Sequence, residues 1–258
     1  MVFCGRIVLV VLFAALPAPG WSADLTRDQV VATLASASPA APADFSGKSL
    51  EKVDLSGLDL SGAKFAGADL YAAKLEDSNL TGADLTGANL GLAWVIRANF
   101  TDADLSGAKV QGLVVASGMQ TNPAEAPVFL RTRFVGARVI ARFGGFDLRG
   151  ADFTDAKLGV DMRNQSMGIL RADFSGTRLD GAIFTRADLG RAWFRFAKLP
   201  GARFTGASLL HADFSGADLT GADLTDADAT GADFGQAILT GVVGLDTVKG
   251  LDAAVPRR

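Results

Sequence analysis

The sequence predicts an all-β fold in which the chain winds into a four-sided coil and completes one turn every twenty residues. A large apolar residue recurs at every fifth position over most of the 258 residues. Helices repeat at about 3.6 residues and strands at about 2.0, so neither element alone explains a period of five. A chain that turns a corner every five residues does explain it.

Two runs carry this period. In residues 45–115 fifteen large positions fall in register and twelve of them are Leu or Phe, while in residues 169–239 thirteen of fifteen are. With six imperfect units between the runs, the chain has 36 units, or about nine coils. Ala usually stands two positions earlier, where the backbone comes closest, and Gly often fills the corner, where φ is positive.

Identity at a spacing of twenty supports the coil. In the second run four Phe and four Leu recur at that interval: Phe174, Phe194, Phe214, Phe234, and Leu179, Leu199, Leu219, Leu239. Each side chain is therefore expected to rest on its counterpart in the next coil. Coils about 4.8 Å apart predict a rod about 43 Å long.

The repeated unit is Ala-Asp-Phe-Ser-Gly at residues 43–47 and Ala-Asp-Leu-Thr-Gly at residues 83–87. It resembles the motif of the pentapeptide-repeat family, and the resemblance covers residues 43–241. It implies a right-handed quadrilateral parallel β-solenoid with short helical caps. Well-characterised members of that family mimic DNA and bind a topoisomerase in the cytoplasm, which is one alternative function for this chain.

Residues 1–23 have the layout of a secretory signal peptide. Arg6 is the only charged residue among them, and the ten-residue apolar run at residues 7–16 is followed by small residues and prolines. A span of the bilayer needs about 20 residues, so no transmembrane segment is expected in the mature chain. The protein is therefore expected to be exported, and to be periplasmic or secreted. Cleavage would remove Cys4, the one cysteine.

The remaining boundaries follow from breaks in the repeat. Residues 24–42 are predicted to form an N-terminal cap helix and linker, because Thr26 and Gln29 make a capping box before a helix at residues 27–36. The solenoid at residues 43–241 is interrupted by loop insertions near 118–130 and 159–166, with a four-residue step between Val139 and Phe143. These insertions are either functional or simply tolerated. Residues 242–258 are predicted to cap the other end, and a homodimer formed through an end cap is left as an alternative.

The chain offers little for catalysis. His211 is the only histidine, and although Ser208 and Asp213 lie near it in sequence, it falls at a solvent-facing corner. Most Asp residues fill the motif's second position, so they do not indicate paired acid catalysts. We expect no enzyme, no catalytic residue, no cofactor and no metal site. A ligand-binding or enzymatic site on the loop insertions is the second alternative.

The surface charge changes sign along the chain. Residues 43–130 sum to −5, residues 131–203 to +7 and residues 204–241 to −6. A basic middle favours an anionic partner or self-association of an acidic end with that middle, and undirected variation of a solvated surface is the competing interpretation. Six residues in the basic part or next to it are the candidate contact site: Arg171, Arg191, Trp193, Arg195, Phe196 and His211. Alternatively, Trp94 and Trp193 stack along the rod or pack under the first insertion.

The favoured function is a non-enzymatic scaffold or protein-interaction module of the bacterial periplasm or cell exterior. Its partner is an unidentified protein with anionic character. The signal peptide and the basic middle argue against nucleic acid and against a cytoplasmic DNA mimic.

Overall fold

The computed structural model describes residues 23–117, 122–159 and 171–251. Apart from Ala23, the predicted signal peptide lies outside these residues, as do residues 160–166 of the second predicted insertion and the end of the C-terminal cap. The regular elements of the described part are helix α1 (Arg27–Ser36), strands β1 (Lys109–Gln111) and β2 (Arg138–Ile140), and a 3-10 helix (Pro123–Glu125). From Asp44 onward the rest of the described chain pairs through isolated parallel bridges. No helix of the described part is long and apolar enough to cross a bilayer.

Neighbouring coils pair through bridges between residues twenty apart. Asp44 bridges Lys64; the Phe45 amide donates to the Lys64 carbonyl at 2.7 Å, and the Lys64 amide donates to the Ala43 carbonyl at 2.9 Å. Four such bridges in each coil define four faces of the rod. We number them face 1 to face 4 by their first bridging residues, which are Asp44, Ser49, Asp54 and Asp59. This four-faced parallel arrangement agrees with the fold predicted from the period of five.

The corners between faces are tight turns. In the first corner the Lys48 amide donates to the Phe45 carbonyl at 3.1 Å, and Gly47 has φ +66°. A positive φ at the third residue is what a type II turn requires, and Gly adopts it without a Cβ clash. The Asp44 carboxylate accepts from the Ser46 amide at 2.9 Å, so the motif's Asp closes the turn.

The large apolar residues fill the axis of the rod, as predicted. In the second run the rings of Phe174, Phe194, Phe214 and Phe234 stack with centroids 4.9, 4.7 and 5.1 Å apart. This stack on face 3 meets the stack on face 1 edge to face, with Phe184 and Phe194 5.6 Å apart. Both geometries are favourable for aromatic pairs.

The first insertion ends earlier than the sequence predicted. Asn99 bridges Val128, 29 residues on instead of twenty, so nine extra residues separate Val114 on face 3 from Val128 on face 4. Phe129 is fully buried and its ring stacks on Phe100 with centroids 4.9 Å apart. The prediction that the loop extends through residue 130 is therefore wrong at its end, because Phe129 is a core position.

The second break is longer than predicted. Arg142 bridges Asp173, 31 residues on, so eleven extra residues separate Lys157 on face 2 from Asp173 on face 3. The second run thus resumes at Phe174 and not at Ile169, which itself lies outside the described residues. The four-residue step is confirmed, since Arg138 and Lys157 bridge at a spacing of nineteen. The number of complete coils remains nine, because Phe129 takes the place of Ile169 in the count.

Helix α1 lies at the range that the capping box predicted, and its Val30 side chain is fully buried. The residues around it satisfy the open edge of the first coil. Arg27 donates to the carbonyls of Asp54 and Ser56 at 2.8 and 2.9 Å, the two groups that a preceding coil would otherwise bond. Asp24 does the same on face 2, where its amide and carboxylate pair with the Ser49 backbone at 2.8 Å. Side chains thus replace the missing coil.

The other end is closed by the segment that follows the last full coil. Lys249 bridges Asp228, and the Asp226 amide donates to the Thr247 hydroxyl at 2.8 Å. Gly244 and Gly250 lie so close to Thr225 and Thr230 that an added Cβ would come within 2.4 and 2.5 Å of their backbone. Residues 242–251 therefore pack tightly on the coil below.

Candidate functional site

The six predicted contact residues lie together on face 3 and on the corners beside it. Trp193 is a bridging residue of face 3, paired with Asp173 in one coil and Asp213 in the next. Arg195 and Phe196 follow it on the same face and its corner. The other three each stand two residues before a bridging residue of face 3: Arg171, Arg191 and His211. The repeat itself brings them together, because side chains at equal repeat positions are one coil apart.

The ring of Trp193 is held between two guanidinium groups. Arg171 lies 4.3 Å from the ring centroid and Arg195 lies 4.4 Å from it. Each such cation–π contact at an exposed site is worth about 0.5–1 kcal/mol. Arg195 also pairs with Asp213 at 2.5 Å. The Trp193 ring, predicted to contact a partner, is thus already in contact with two arginines of the protein itself. Together the three side chains form a preorganised arginine-tryptophan-arginine stack.

Asp213 supports this stack from the next coil. Burial by itself would raise the pKa of its carboxyl, but hydrogen bonds from Ser215 and Arg195 outweigh that effect and hold the pKa below its usual value. The carboxylate therefore stays ionised at neutral pH and keeps Arg195 in place.

Phe196 lies beside the stack, and its side chain is exposed to solvent. Its side chain is 67% exposed, more than any other large apolar residue of the described part. It sits on a left-handed corner with φ +55°, and its ring lies over Gly216, where an added Cβ would come within 2.5 Å of the ring. The glycine therefore fixes where the ring lies and leaves its outer side to solvent.

Arg191 and His211 form an unusual corner pair. Elsewhere, oppositely charged corners one coil apart form bidentate ion pairs, such as Arg97 with Asp77 at 2.5 and 2.7 Å. Hydrogen bonding to Arg97 lowers the pKa of Asp77. At the corner beside Trp193 two basic residues take these places, and Arg191 makes no ion pair within the described residues. The corner is thus left with an exposed Arg191 guanidinium.

The structure does not bring together a catalytic triad at His211. Its ring lies on Gly231, where an added Cβ would be 2.4 Å from Nδ1, while Asp213 accepts from Ser215 and Arg195. Among the described residues no hydrogen bond joins His211 to Ser208 or Asp213, and none of them form a cluster of metal-ligating side chains. The Asp residues of the repeat act in turns: Thr220 donates to Asp218 and lowers its pKa.

The structure adds two further features of face 3. Trp94, 38% exposed, lies in the same bridging column as Trp193. Val114, Arg142 and Asp173 separate the two in that column, so they do not stack along the rod, which was one alternative. Both insertions also leave the coil at an edge of face 3, the first at its border with face 4 and the second at its border with face 2. Counting the register through Phe129 would have revealed this.

Comparison with known proteins agrees with the repeat geometry. A family model described as pentapeptide repeats matches residues 43–70, 63–102, 78–112, 171–206, 187–226 and 202–241, in eight copies. The chain belongs to the pentapeptide-repeat family. These matches fall on the two regular runs and leave out the coils between the insertions.

Several solved pentapeptide-repeat structures resemble the chain at lower similarity. HetL, involved in heterocyst differentiation regulation in the cyanobacterium Nostoc sp. Strain PCC 7120, is 26% identical, with 87% of this chain and 94% of HetL covered and a TM-score of 0.38. QnrB1, a plasmid-mediated fluoroquinolone resistance protein, is 22% identical, with 81% and 93% covered and a TM-score of 0.33. A protein of the Arabidopsis thaliana thylakoid lumen is 23% identical, with 59% and 68% covered and a TM-score of 0.15. No curated protein matches. These TM-scores are too low to argue function.

Proposed function

We propose that this pentapeptide-repeat protein is a non-enzymatic scaffold that binds a partner protein through face 3, in the bacterial periplasm or at the cell exterior. The observation that carries the proposal is the exposed Phe196 ring beside the arginine-tryptophan-arginine stack. Aromatic and arginine side chains are the residues most often responsible for binding energy at protein interfaces.

The cluster has the physical properties of a preformed contact surface. Trp193 and Arg195 are already ordered by their mutual contact and by Asp213, so binding would cost little additional side-chain entropy. Phe196 would enter an apolar pocket of the partner, and Arg191 would meet an acidic group. The partner is therefore expected to combine an apolar depression with a carboxylate.

The proposed location rests on residues 1–23 alone, which have the charge and apolar pattern of a signal peptide. Intact mass of the protein purified from cells tests it directly. Loss of at least the first 20 residues supports export, whereas a full-length protein recovered from the cytoplasm refutes it and favours the DNA-mimic alternative.

Site-specific photocrosslinking tests the contact surface. A benzophenone amino acid replaces Phe196 in one variant and Gln236 in a control, because both are exposed corners of the same column with positive φ, two coils apart. We expect a discrete crosslinked product from position 196 in cells and none from position 236. Arg191→Glu, added to the first variant, should abolish the product. Equal products from both positions would overturn the proposal.

A further inference from the structure

The bridge columns of the rod have one gap. On faces 1, 2 and 4 every described coil bridges the next, whereas on face 3 the bridges run from Asp54 to Val114 and resume at Arg142. Among the described residues no backbone hydrogen bond joins 113–115 to 141–143. We call this place the face 3 gap. It separates the N-terminal coils, residues 44–130, from the C-terminal coils, residues 133–243.

Two corners of unequal length produce the gap. Before it the chain takes five residues from Val110 to Val115 and turns at Gly112, which has φ +65°. After it the step from Val139 to Phe143 is four residues, and that corner contains no residue with a positive φ. The two chains leave face 2 in register and lose that register at the corner, because one has a residue fewer there. Face 2 therefore keeps its pairing at this level and face 3 does not.

An intact level of face 3 has three backbone hydrogen bonds to the next coil. In the second run the amides of Phe194 and Phe196 donate to that coil at 2.7 and 3.0 Å, and the Asp213 amide donates back at 3.0 Å. Each such bond contributes about 1 kcal/mol net. None of the three has a counterpart at the gap among the described residues. The two groups of coils are thus held together at this level by the other faces alone.

The axis of the rod also changes at the gap. Val115 is the axial residue of face 3 there, and it is partly exposed. Every other axial residue of the described coils is buried, apart from Leu239 at the end of the rod. The next axial residue of this face, Phe143, belongs to the aromatic stack, with its ring 5.1 Å from that of Phe174. The column thus passes from aliphatic to aromatic residues where its hydrogen bonds stop.

The other faces keep the two groups of coils together. On face 1 the Leu105 amide donates to the next coil at 2.7 Å, on face 2 β1 pairs with β2, and on face 4 the Phe129 amide donates at 3.1 Å. Faces 1 and 3 are opposite sides of the rod, so the unpaired side lies across the axis from a fully paired one. A rotation that preserves the pairing on faces 1 and 2 therefore opens face 3.

We propose that the face 3 gap is a hinge, at which the N-terminal coils tilt against the C-terminal coils about the paired faces 1 and 2. Trp94 and the arginine-tryptophan-arginine stack lie on opposite sides of the hinge, so the motion changes the distance between them. Hinge motions of this kind occur in microseconds to milliseconds. The hinge does not depend on the partner-binding function proposed above.

Distances between pairs of nitroxide labels, measured by pulsed electron spin resonance, test the hinge. Cys4→Ser removes the one native cysteine, and labels are then attached to Lys74→Cys with Asp233→Cys on face 3, or to Asp44→Cys with Arg203→Cys on face 1. All four positions are exposed, and each pair spans the level of the gap over seven coil steps, about 34 Å. We expect the face 3 distance distribution to be at least about twice as broad as that of face 1. Equal widths would overturn the proposal.

Two further variants distinguish a hinge from a loose end of the rod. The pair Arg142→Cys with Asp233→Cys lies within the C-terminal coils, and its distribution should be as narrow as that of face 1. One glycine inserted between Ile140 and Ala141 restores the five-residue step, and it should narrow the distribution of the Lys74 and Asp233 pair to the face 1 width. A broad distribution within the C-terminal coils, or no narrowing after the insertion, would contradict the hinge.

Hydrogen exchange of the unlabelled chain gives a second measurement that needs no insertion. The Phe129 amide bonds across the level of the gap on face 4, and the Phe100 amide bonds to Val128 one level earlier. Leu105 and Leu85 are the corresponding amides on face 1. We expect the Phe129 amide to exchange about tenfold faster than that of Phe100, and the two face 1 amides to exchange at similar rates. Similar protection of Phe129 and Phe100 would overturn the proposal.

Discussion

The first run of repeats, residues 45–115, and the second run, residues 174–239, share one backbone geometry and fill it differently. The axis of the first run is packed mostly by Leu, with Leu55, Leu75 and Val95 on face 3. At the same place the second run has stacked rings, including Phe174 and Phe194 4.9 Å apart. The four-faced coil therefore depends on burying a large apolar residue every fifth position, and it accepts either aliphatic or aromatic side chains there.

The two runs also differ on the outside. In the first run amides join neighbouring coils, since Asn79 donates to Asp59 at 3.0 Å and Asn89 donates to Asp69 at 2.9 Å. On face 4 of the second run an ion pair takes that place, with the Lys198 ammonium 3.7 Å from the Asp218 carboxylate. The two runs thus differ in what fills the axis and in the polar groups that connect neighbouring coils on this face. Each run should consequently respond to a different perturbation.

Removing a core side chain should lower the free energy of unfolding more than any other change considered below. The loss should be larger in the second run than in the first. Phe194→Ala deletes a ring that contacts four others and is expected to cost about 4 kcal/mol, while Leu75→Ala on the same face should cost about 3 kcal/mol. Urea unfolding gives the totals, and hydrogen exchange shows where each opening occurs. We expect loss of protection mainly in the coils next to the substitution, because each coil contacts only its neighbours. A greater loss from Leu75→Ala would reverse the comparison.

The stability lost when a corner glycine is replaced by alanine should depend on what lies over that corner. Gly221, Gly112 and Gly216 have similar φ values of +66°, +65° and +69°. An added Cβ would meet nothing at Gly221, the flexible end of Leu92 at 3.0 Å in the first run, and the Phe196 ring at 2.5 Å in the second. Gly221→Ala should therefore lower the free energy of unfolding by about 1 kcal/mol, and Gly112→Ala should lower it slightly more. Gly216→Ala should lower it by about 2 kcal/mol more than Gly221→Ala does.

Thermal unfolding of the three variants checks this order. The double variant Gly216→Ala with Phe196→Ala should return to the cost seen at Gly221, because the ring that clashes is gone. If it does not, backbone strain and not the ring determines the cost at Gly216.

Acid should weaken the corners that an Asp closes and spare those that an Asn closes, by a small amount at each corner. Hydrogen bonds from Thr220 and Thr230 lower the pKa of Asp218 and Asp228. A lowered folded-state pKa contributes stability above the unfolded value of about 3.9, and that contribution is lost as the pH falls through the folded value. In the first run the amide of Thr81 bonds to Asn79 instead, at 3.1 Å, and Asn does not titrate.

Hydrogen exchange at neutral pH and near pH 3, corrected for intrinsic rates, tests this difference. Protection of the Thr220 and Thr230 amides should fall on acidification, while that of Thr81 should persist. Asp218→Asn should make the Thr220 amide behave like Thr81. Equal loss at all three corners would contradict the assignment.

The sequence predicted the features that the repeat controls and missed those set by contacts between distant positions. The Phe and Leu columns follow from spacing alone, because residues twenty apart must stack. Phe129 was not predicted to be a core residue, because nine inserted residues shift its register. The stacking of Arg171 and Arg195 on Trp193 depends on side-chain directions at two different coils, which spacing does not encode. Arg27 gave no signal, because its acceptors lie 27 and 29 residues on, outside any period.

Arg27 also limits growth of the rod beyond its first coil. Its guanidinium occupies the two carbonyls of Asp54 and Ser56 that would otherwise pair with a further coil, and Asp24 occupies the Ser49 backbone in the same way. A second molecule therefore finds no free strand edge at these positions, and head-to-tail growth into a fibre is blocked there. On faces 2 and 3 a longer version of the protein would therefore have to insert coils between existing ones, because the carbonyls of the first coil are already occupied there.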